Sequence, residues 1–206
     1  MKKLFYCIIT VTALVACVQT QEQKAEVLIK ESLKKSLYKP DTYKPVETKV
    51  DSAFSPYDDP AFFEELRKLG ELNSEYDDLD EKAKRAKSSM ALWIGDRNSA
   101  YGKDRYQEAE EEYNDAIAKL EKIRTKGRKQ YDNVIKILRG ERKFIGYIAE
   151  HNYRADNNAG NTLIGDAVFI IDKDFKEVQC SMSVEEYNHI QDAIRQIMEE
   201  LEEAEE

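Results

Sequence analysis

Apolar residues recur at alternating steps of three and four in the middle of the chain. In residues 103–139 this series comprises Tyr106, Ala109, Tyr113, Ala116, Leu120, Ile123 and Gly127. Such spacing lines one side of a helix and is typical of a coiled-coil seam. Residues 60–94 carry a comparable but less complete series, made of Phe62, Leu66, Leu69, Tyr76, Ala83 and Met90. The pattern predicts two long helices that pack against each other.

The segment that joins these helices, residues 95–102 (GDRNSAYG), is rich in turn-forming residues. Because the helices are nearly equal in length, we predict an antiparallel hairpin with its tip near Asn98. If the numbers of facing residues sum to about 196, Met90 meets Tyr106 and Ala83 meets Tyr113. At 1.5 Å per residue such a hairpin is on the order of 50 Å long.

Shorter periodicities flank the hairpin. Residues 24–38 place Ile29, Leu33 and Leu37 four positions apart, which predicts a helix. Alternating or continuous apolar runs bounded by turn residues predict strands at 46–54, 144–155, 162–172 and 175–181. Ser183 and Glu186 have the spacing of a capping box. The helix they open carries one apolar stripe, formed by Tyr187, Ile190, Ile194, Ile197 and Leu201.

This order of elements predicts an α+β fold. One helix packs with a four-stranded antiparallel sheet, a long antiparallel helical hairpin is inserted after the first strand, and an amphipathic helix ends the chain. The layout resembles cystatin-like and NTF2-like folds, although a fold does not by itself carry a function. We expect residues 24–55 and 141–206 to form the α+β domain and residues 56–140 to form the inserted coiled-coil hairpin.

The first residues resemble a bacterial lipoprotein signal. Lys2 and Lys3 precede an apolar run over 4–15, and Leu14-Val15-Ala16-Cys17 matches a lipobox. The resemblance implies that residues 1–16 are removed and that Cys17 carries acyl chains such as palmitate. Residues 17–23 then form a tether, and two or more acyl chains hold a protein stably on a membrane. We expect an outer-membrane lipoprotein that faces the periplasm rather than the cell surface, because no dense acidic run follows Cys17.

Charge and cysteine content narrow the possible partners. The net charge is −9, and loss of Lys2 and Lys3 with the signal would make it −11. Such acidity argues against binding nucleic acid. The charged fraction of 35% is higher than in ordinary globular chains, and long solvated helices account for it. Removal of Cys7 and acylation of Cys17 leave Cys180, which we expect to pack as a small apolar residue.

Two stretches resemble a family of uncharacterised small lipoproteins of Bacteroidetes-type bacteria. Residues 33–54 (LKKSLYKPDTYKPVETKVDSAF) resemble the opening of these proteins, where a helix, a Pro-x-Ser/Thr-Tyr element and a strand follow one another. Residues 144–169 (FIGYIAEHNYRADNNAGNTLIGDAVF) resemble their later half, with His-x-Tyr-Arg before a turn that contains Asn and Gly. The resemblance implies a lipid anchor and a helix followed by a strand, and it gives no information about activity.

A polar cluster around the second predicted strand is the best candidate for a recognition site. It comprises Tyr147, His151, Tyr153, Arg154 and Asn158, with Asn157 and Asn161 beside them. Arg154 has the geometry to pair with a carboxylate or a phosphate through two hydrogen bonds. The alternative is that these residues cap strand ends and hold the Asn-Gly turn.

Other features suggest only local roles. Gly70 and Gly127 reach the same height on the two long helices, which indicates a hinge, a close approach of backbones, or glycines that are merely tolerated. Asp51-Ser52-Ala53 fits a pattern that such bacteria O-glycosylate, although it falls in a predicted strand. No catalytic, cofactor-binding or metal-ligating motif is evident, and Asp172, Asp174 and Glu177 are best interpreted as a hairpin turn rather than a calcium loop.

Three hypotheses about function remain open. The first is a non-enzymatic envelope protein whose hairpin contacts a partner protein or a second copy. The second is a periplasmic module whose sheet binds a small ligand or a peptide near Tyr147, His151, Tyr153 and Arg154. The third is a hydrolase of envelope polymers, which requires acidic side chains from distant segments to meet in a cleft.

Overall fold

The computed structural model describes residues 19–204, which form two compact units. One comprises residues 19–58 and 143–204, here called the sheet unit, and the other comprises Asp59–Arg142, here called the hairpin unit. The helices are α1 (Gln21–Leu33), α2 (Pro60–Trp93), α3 (Ala100–Leu138) and α4 (Val184–Glu203), and the strands are β1 (Lys44–Ser55), β2 (Lys143–Asp156), β3 (Thr162–Asp172) and β4 (Val178–Met182). Short 3₁₀ turns lie at Pro40–Thr42 and Ile94–Asp96.

The sheet unit confirms the predicted α+β fold. Its four strands follow one another in the order β1-β2-β3-β4, and each neighbouring pair is antiparallel. Helix α1 packs on one face of the sheet, where Ala25, Ile29 and Leu33 form a core with Ala149, Phe169 and Ile171. Val168 and Ile170 alternate with Phe169 and Ile171 and therefore point to the opposite face. Both are fully buried, and α4 contacts β3.

The turn that follows β1 fixes α4 in place. The hydroxyl of Tyr187 donates to Oδ1 of Asp58 at 3.1 Å, and Gln191 donates to the carbonyl oxygen of Tyr57 at 3.0 Å. Oδ2 of Asp58 also accepts the backbone N–H of Phe54 at 2.8 Å. Burial, followed by the nearby carboxylates of Asp58 and Glu150, raises the pKa of Tyr187. The predicted apolar stripe of this helix is confirmed, with Ile194 and Ile197 buried.

Helix α1 begins earlier and ends earlier than the periodicity predicts. Thr20 caps it by accepting the N–H of Gln23, and the Gln23 side chain accepts the N–H of Thr20 in return. This reciprocal pair starts the helix at Gln21 instead of residue 24. The helix ends at Leu33 instead of continuing to Tyr38.

Strand β4 begins at Val178, although the sequence predicts a strand from residue 175. Phe175 has a φ of 53°, which no strand residue adopts, so the turn extends past it. The carboxylate of Asp172 accepts backbone N–H groups of Asp174, Lys176 and Glu177. Although partial burial acts to raise the pKa of Asp172, these hydrogen bonds outweigh it and lower the pKa.

In the hairpin unit, helices α2 and α3 pack antiparallel, as predicted. The side chain of Gln130 donates to the backbone and side-chain oxygens of Glu65 at 2.9 Å, and Asn133 donates to Oε2 of Glu65. These pairs and the packing of Tyr113 beside Ala83 agree with the predicted register. All seven predicted seam residues of α3 are buried or half-buried, so its seam is confirmed.

The seam of α2 follows a different line from the predicted one over part of its length. Tyr76 was expected in the seam, but it is 38% exposed. Asn73 and Lys87, which also fall on the predicted seam line, are exposed. The apolar residues beside that line, Leu72, Leu79 and Ala86, are instead buried or half-buried. The physical reason is that Leu72, Leu79 and Ala86 are apolar and the residues one position further along are polar, so packing the apolar line against α3 removes more apolar surface from water.

Gly102 marks the main correction to the predicted hairpin turn. It lies inside the first turn of α3, which starts at Ala100 because Ser99 caps it by accepting the N–H of Gly102 at 2.9 Å. A Cβ on Gly102 would lie 2.2 Å from the carbonyl oxygen of Asp96. The glycine therefore allows the incoming backbone to cross close to the new helix.

Gly70 and Gly127 do not mark a close approach of backbones. A Cβ at either position would meet no other atom within 4 Å, and α2 and α3 run through both positions without a break. That part of the expectation is wrong, and the hinge stays a prediction. Exposed ion pairs at helical spacing cover the outer faces of both helices, for example Lys84 with Asp80 and Lys119 with Asp115. Because these pairs are exposed to solvent, their contribution to stability is small.

Candidate functional site

The candidate cluster on β2 is divided by the pleat of the strand. Tyr147, His151 and Tyr153 lie on the face covered by α1, because residues two apart share a face. Arg154, one position further on, is exposed and points to the opposite face. Asn158 is exposed in the turn that follows β2. The structure therefore brings the two tyrosines and the histidine together and leaves Arg154 and Asn158 outside this group.

His151 is buried and has hydrogen-bond partners on both ring nitrogens. It is 1% exposed, its Nε2 lies 2.8 Å from the hydroxyl oxygen of Tyr43, and its Nδ1 lies 2.8 Å from Oγ1 of Thr48. The rings of Tyr43 and Tyr153 stack on it at centroid distances of 5.9 and 5.8 Å. Each hydroxyl can donate or accept, so the two together satisfy a neutral imidazole in either tautomer.

Burial sets the protonation states in this group. It lowers the pKa of His151 and, together with the charge of Asp166, raises the pKa of Tyr153. It also raises the pKa of Tyr43 to about 12, with a further contribution from the nearby Glu26. At neutral pH the group is therefore uncharged and hydrogen bonded. It holds α1 and the sheet together instead of presenting a reactive side chain.

Tyr147 has a similar structural role at the other end of the same face. Its ring stacks on Phe175 with 4.3 Å between centroids, and its hydroxyl accepts a long hydrogen bond of 3.4 Å from the amide of Gln21. The ammonium of Lys24 lies 5.6 Å from the centroid of the Phe175 ring. The side chain of Tyr147 thus closes the core beneath the start of α1.

The turn after β2 is held by its own side chains. Asn157 accepts the N–H of Asn161 through Oδ1 at 3.0 Å, and its backbone N–H donates to the carbonyl oxygen of Asn161 at 2.9 Å. Thr162 donates to the carboxylate of Asp156 at 2.6 Å. These contacts fit the interpretation that the Asn-rich segment stabilises a turn.

An apolar groove adjoins this turn at the end of the sheet. Its volume is about 230 Å³, and Leu37, Tyr38, Tyr153, Ala155, Leu163 and Ile164 line it together with Ser36, Asp156, Asn157 and Gly165. A Cβ on Gly165 would lie 2.5 Å from Cζ of Tyr153, so the absence of a side chain there lets the Tyr153 ring lie flat on β3. The groove is mainly apolar and offers few groups that could orient a polar ligand.

A second cleft, of about 300 Å³, lies on the α4 side of the sheet. Asp51, Asp58 and Glu150 line it, together with Lys49, Ser52, Ile148 and Tyr187. Asp58 already accepts the hydrogen bonds that fix α4. Ser52, the candidate glycosylation site, is exposed on β1 beside this cleft. Within residues 19–204, no group of three or more His, Cys, Asp or Glu residues is arranged to hold a metal ion.

The tip of the hairpin unit exposes large apolar side chains that the sequence reasoning missed. Leu92, Ile94 and Tyr101 are 73, 58 and 58% exposed, and we call these three residues the tip patch. The ring of Trp93 meets Tyr101 edge to face at 5.5 Å. Leu92 and Tyr101 lie outside the predicted seam series. A large apolar residue outside the seam of a two-helix hairpin has no partner helix to cover it, and this was the signal in the sequence.

Two arginines border the tip patch. The guanidinium of Arg105 lies 5.3 Å from the centroid of the Tyr101 ring, and that of Arg97 lies 4.6 Å from the centroid of the Tyr106 ring. Arg105 also donates to the hydroxyl of Tyr101 and to the carboxylate of Glu108. The tip therefore combines exposed apolar surface with aromatic rings and guanidinium groups.

The proposed anchor lies outside the described residues, because Cys17 precedes residue 19. Among residues 19–204, no helix is both long and apolar enough to cross a membrane. No protein-family model matches the chain, and neither a curated protein nor a solved structure matches it.

Proposed function

We propose that the protein is a lipid-anchored component of a bacterial cell envelope that binds a partner protein through the tip of its helical hairpin and catalyses no reaction. The observation that carries this proposal is the tip patch. Leu92 and Ile94 are among the most exposed large apolar side chains of the described residues. Three large apolar side chains exposed within residues 92–101 favour a binding site at this end of the unit.

The composition of the tip favours a protein partner. Residues 88–106 hold five charged side chains among 19, fewer in proportion than the 35% of the whole chain. Tyrosine, tryptophan and arginine contribute most of the binding energy at protein interfaces, and all three occur here. The cation–π contacts of Arg97 and Arg105 hold the aromatic rings in place, so little side-chain freedom is lost on binding.

The proposal of an anchor rests on the sequence. The lipobox ending at Cys17 and the apolar run before it support export and acylation, which would place the protein at the bacterial outer membrane, facing the periplasm. Acyl chains supply the membrane contact that the described helices do not. The net charge of −9 disfavours electrostatic attachment to anionic lipid.

A module that binds a small ligand or a peptide has less support. The side chains expected to line its site do not converge: Tyr147 and Tyr153 pack against the core beneath α1, whereas Arg154 is exposed on the opposite face of the sheet. Both nitrogens of His151 are hydrogen bonded within the protein, and the groove that Tyr153 lines is mainly apolar. A hydrolase also has less support. Of the carboxylates in the cleft beside α4, Asp58 is engaged by the Tyr187 hydroxyl and the Phe54 amide.

A photo-crosslinking experiment in cells tests the role of the tip. A photoreactive amino acid is placed at Tyr101 in the tip patch or, as the matched control, at Tyr76, which is an exposed tyrosine of the same unit. We expect a discrete protein adduct from position 101 and none from position 76. The substitution Ile94→Asp should remove the adduct because it places a charge in the apolar patch. Equal adducts from both positions, or none from either, would contradict the proposed interface.

The anchor is tested separately. Cells are labelled with a palmitate analogue, and the protein is compared with its Cys17→Ala variant. We expect the label and membrane fractionation with the unaltered protein and neither with the variant. If Cys17→Ala remains labelled and stays with the membrane, the proposed anchor is wrong, whatever the outcome at the tip.

A further inference from the structure

Half of β3 has an open edge. Strand β4 pairs only with Val168–Ile171, whereas β3 extends back to Thr162. Within residues 19–204, no strand lies beside residues 162–167 on the side away from β2. The N–H and C=O groups of every second residue in this segment therefore point away from β2, where no strand lies beside them. Such an edge is a template for pairing with another chain.

The other outer edge of the sheet is protected against such pairing. Strand β1 contains Pro45, which lacks an N–H donor, and its register is interrupted twice, near Pro45 and near Ala53. It also carries the charged residues Lys44, Glu47, Lys49 and Asp51. Proline, bulges and edge charges are the devices by which folded proteins prevent sheets from joining edge to edge.

The open edge of β3 has almost none of these devices. Residues 162–167 (TLIGDA) contain no proline, no register shift and a single charge, on Asp166. Leu163 and Ile164 are 54 and 76% exposed. They are adjacent on the strand, so they place apolar surface on both faces of the sheet. A strand paired at this edge would cover both.

We propose that residues 162–167 pair antiparallel with the same segment of a second copy, around a two-fold axis at Ile164, to join two four-stranded sheets into one. In this register Leu163 lies opposite Gly165, which is covered by the ring of Tyr153, so that an apolar side chain comes next to an aromatic ring. Thr162 lies opposite Asp166, and no two carboxylates face each other. The two Asp166 residues are offset by four positions along the strands, on the order of 13 Å apart, where salt screens their repulsion.

A second copy fits better than a strand from an unrelated protein for two reasons. Symmetric pairing satisfies the same backbone groups on both chains, which is the commonest arrangement of soluble oligomers. It also brings the Leu163 side chain of each copy next to the apolar groove of the other, since Leu163 and Gly165 line that groove. This surface belongs to the sheet unit, whereas the tip patch belongs to the hairpin unit.

Cysteine crosslinking in cells tests the register. Directly opposed residues of paired antiparallel strands have Cα atoms about 4.5–5.5 Å apart, within the range of a disulfide. In a Cys180→Ser background, Ile164→Cys should form a covalent dimer on mild oxidation. Val46→Cys, an exposed residue of the protected edge, should form none. The Cys180→Ser protein with no added cysteine is the control, because it reveals any crosslink that the remaining cysteines form.

Charge variants supply an independent readout. Ile164→Lys and Ile164→Glu each place like charges opposite each other, and we expect each to raise the dimer dissociation constant at least about tenfold. A mixture of the two variants should form the heterodimer, because the charges are then complementary. Ile164 is exposed, so circular dichroism of each variant should match the unaltered protein.

Several outcomes would overturn the proposal. An unaltered protein that stays monomeric in sedimentation over a wide concentration range would do so. Crosslinks from position 164 to a different protein would show that a foreign strand occupies the edge. Dimers that disappear on Ile94→Asp but persist in both single charge variants would place self-association at the hairpin tip.

Discussion

The hydroxyl oxygen of Tyr43 lies 2.8 Å from Nε2 of His151, although the two residues are 108 positions apart. Replacing Tyr43 with Phe keeps the stacked ring and removes this partner from a buried nitrogen. We expect Tyr43→Phe to lower the free energy of unfolding by about 1–3 kcal/mol, the usual penalty for an unsatisfied buried polar group. Urea denaturation measures the change. Tyr38→Phe, at a tyrosine that is 80% exposed, is the matched control and should alter stability by much less.

Burial of His151 also predicts a dependence of stability on pH. Its pKa is lowered in the folded protein, so the unfolded chain binds the proton more readily. The stabilising contribution is complete above the unfolded pKa of about 6.5 and is lost as the pH falls from there through the folded pKa. The groups that face His151 are hydroxyls and rings, with no carboxylate among its hydrogen-bond partners to favour the charged form.

The comparison of two histidine variants isolates this effect. The difference in melting temperature between pH 7.5 and pH 5 should shrink in His151→Gln, which cannot titrate. His189→Gln, at an exposed histidine of α4, is the matched control. If both variants keep the full pH dependence of the unaltered protein, the carboxylates and not His151 account for it.

The sequence predicts the hairpin better on one helix than on the other, for a physical reason. In α3 a single line of residues from Tyr106 to Gly127 fits the seam, so the register has no competitor. In α2 two neighbouring lines are both partly apolar, one with Tyr76 and one with Leu72 and Leu79. Periodicity cannot choose between them, because the choice depends on which line faces α3. The tip patch was missed because a hydrophobic pattern identifies apolar residues and not their exposure.

The candidate site could be predicted only in part. Alternation along β2 places Tyr147, His151 and Tyr153 on one face and Arg154 on the other. It does not show that α1 covers the first face. Thr48, one of the two partners of His151, is 103 positions away in sequence, and nothing local identifies it. A polar cluster read from sequence is therefore a set of groups that need partners, and tertiary packing decides whether a ligand or the protein supplies them.

The glycines of the hairpin unit should respond in opposite directions to substitution by alanine. Gly127→Ala adds a side chain where no atom lies within 4 Å and removes the entropic penalty of glycine in a helix. We expect it to raise the free energy of unfolding by up to about 1 kcal/mol. Gly102→Ala should lower it by about 1–3 kcal/mol, since its Cβ would meet the backbone of Asp96, which cannot move aside cheaply.

Thermal unfolding of both variants provides the measurement. A destabilised Gly127→Ala would show that Gly127 has a conformational role, as the hinge hypothesis requires. A neutral Gly102→Ala would show that the turn at Asp96 can relax. Gly70→Ala is a second control, because Gly70 has the same open surroundings on α2.

The contact between Gly165 and Tyr153 gives a test of packing in the sheet unit. A Cβ on residue 165 would overlap the end of the Tyr153 ring, which is itself stacked on His151. We expect Gly165→Ala to lower the free energy of unfolding by about 1–3 kcal/mol, as overpacking usually does. The measurement is urea denaturation at one fixed protein concentration. In a Tyr153→Ala background the same substitution should be neutral or slightly stabilising, because alanine suits a strand better than glycine once the ring is gone. Equal effects of Gly165→Ala in both backgrounds would mean that the ring does not determine the choice of glycine at this position.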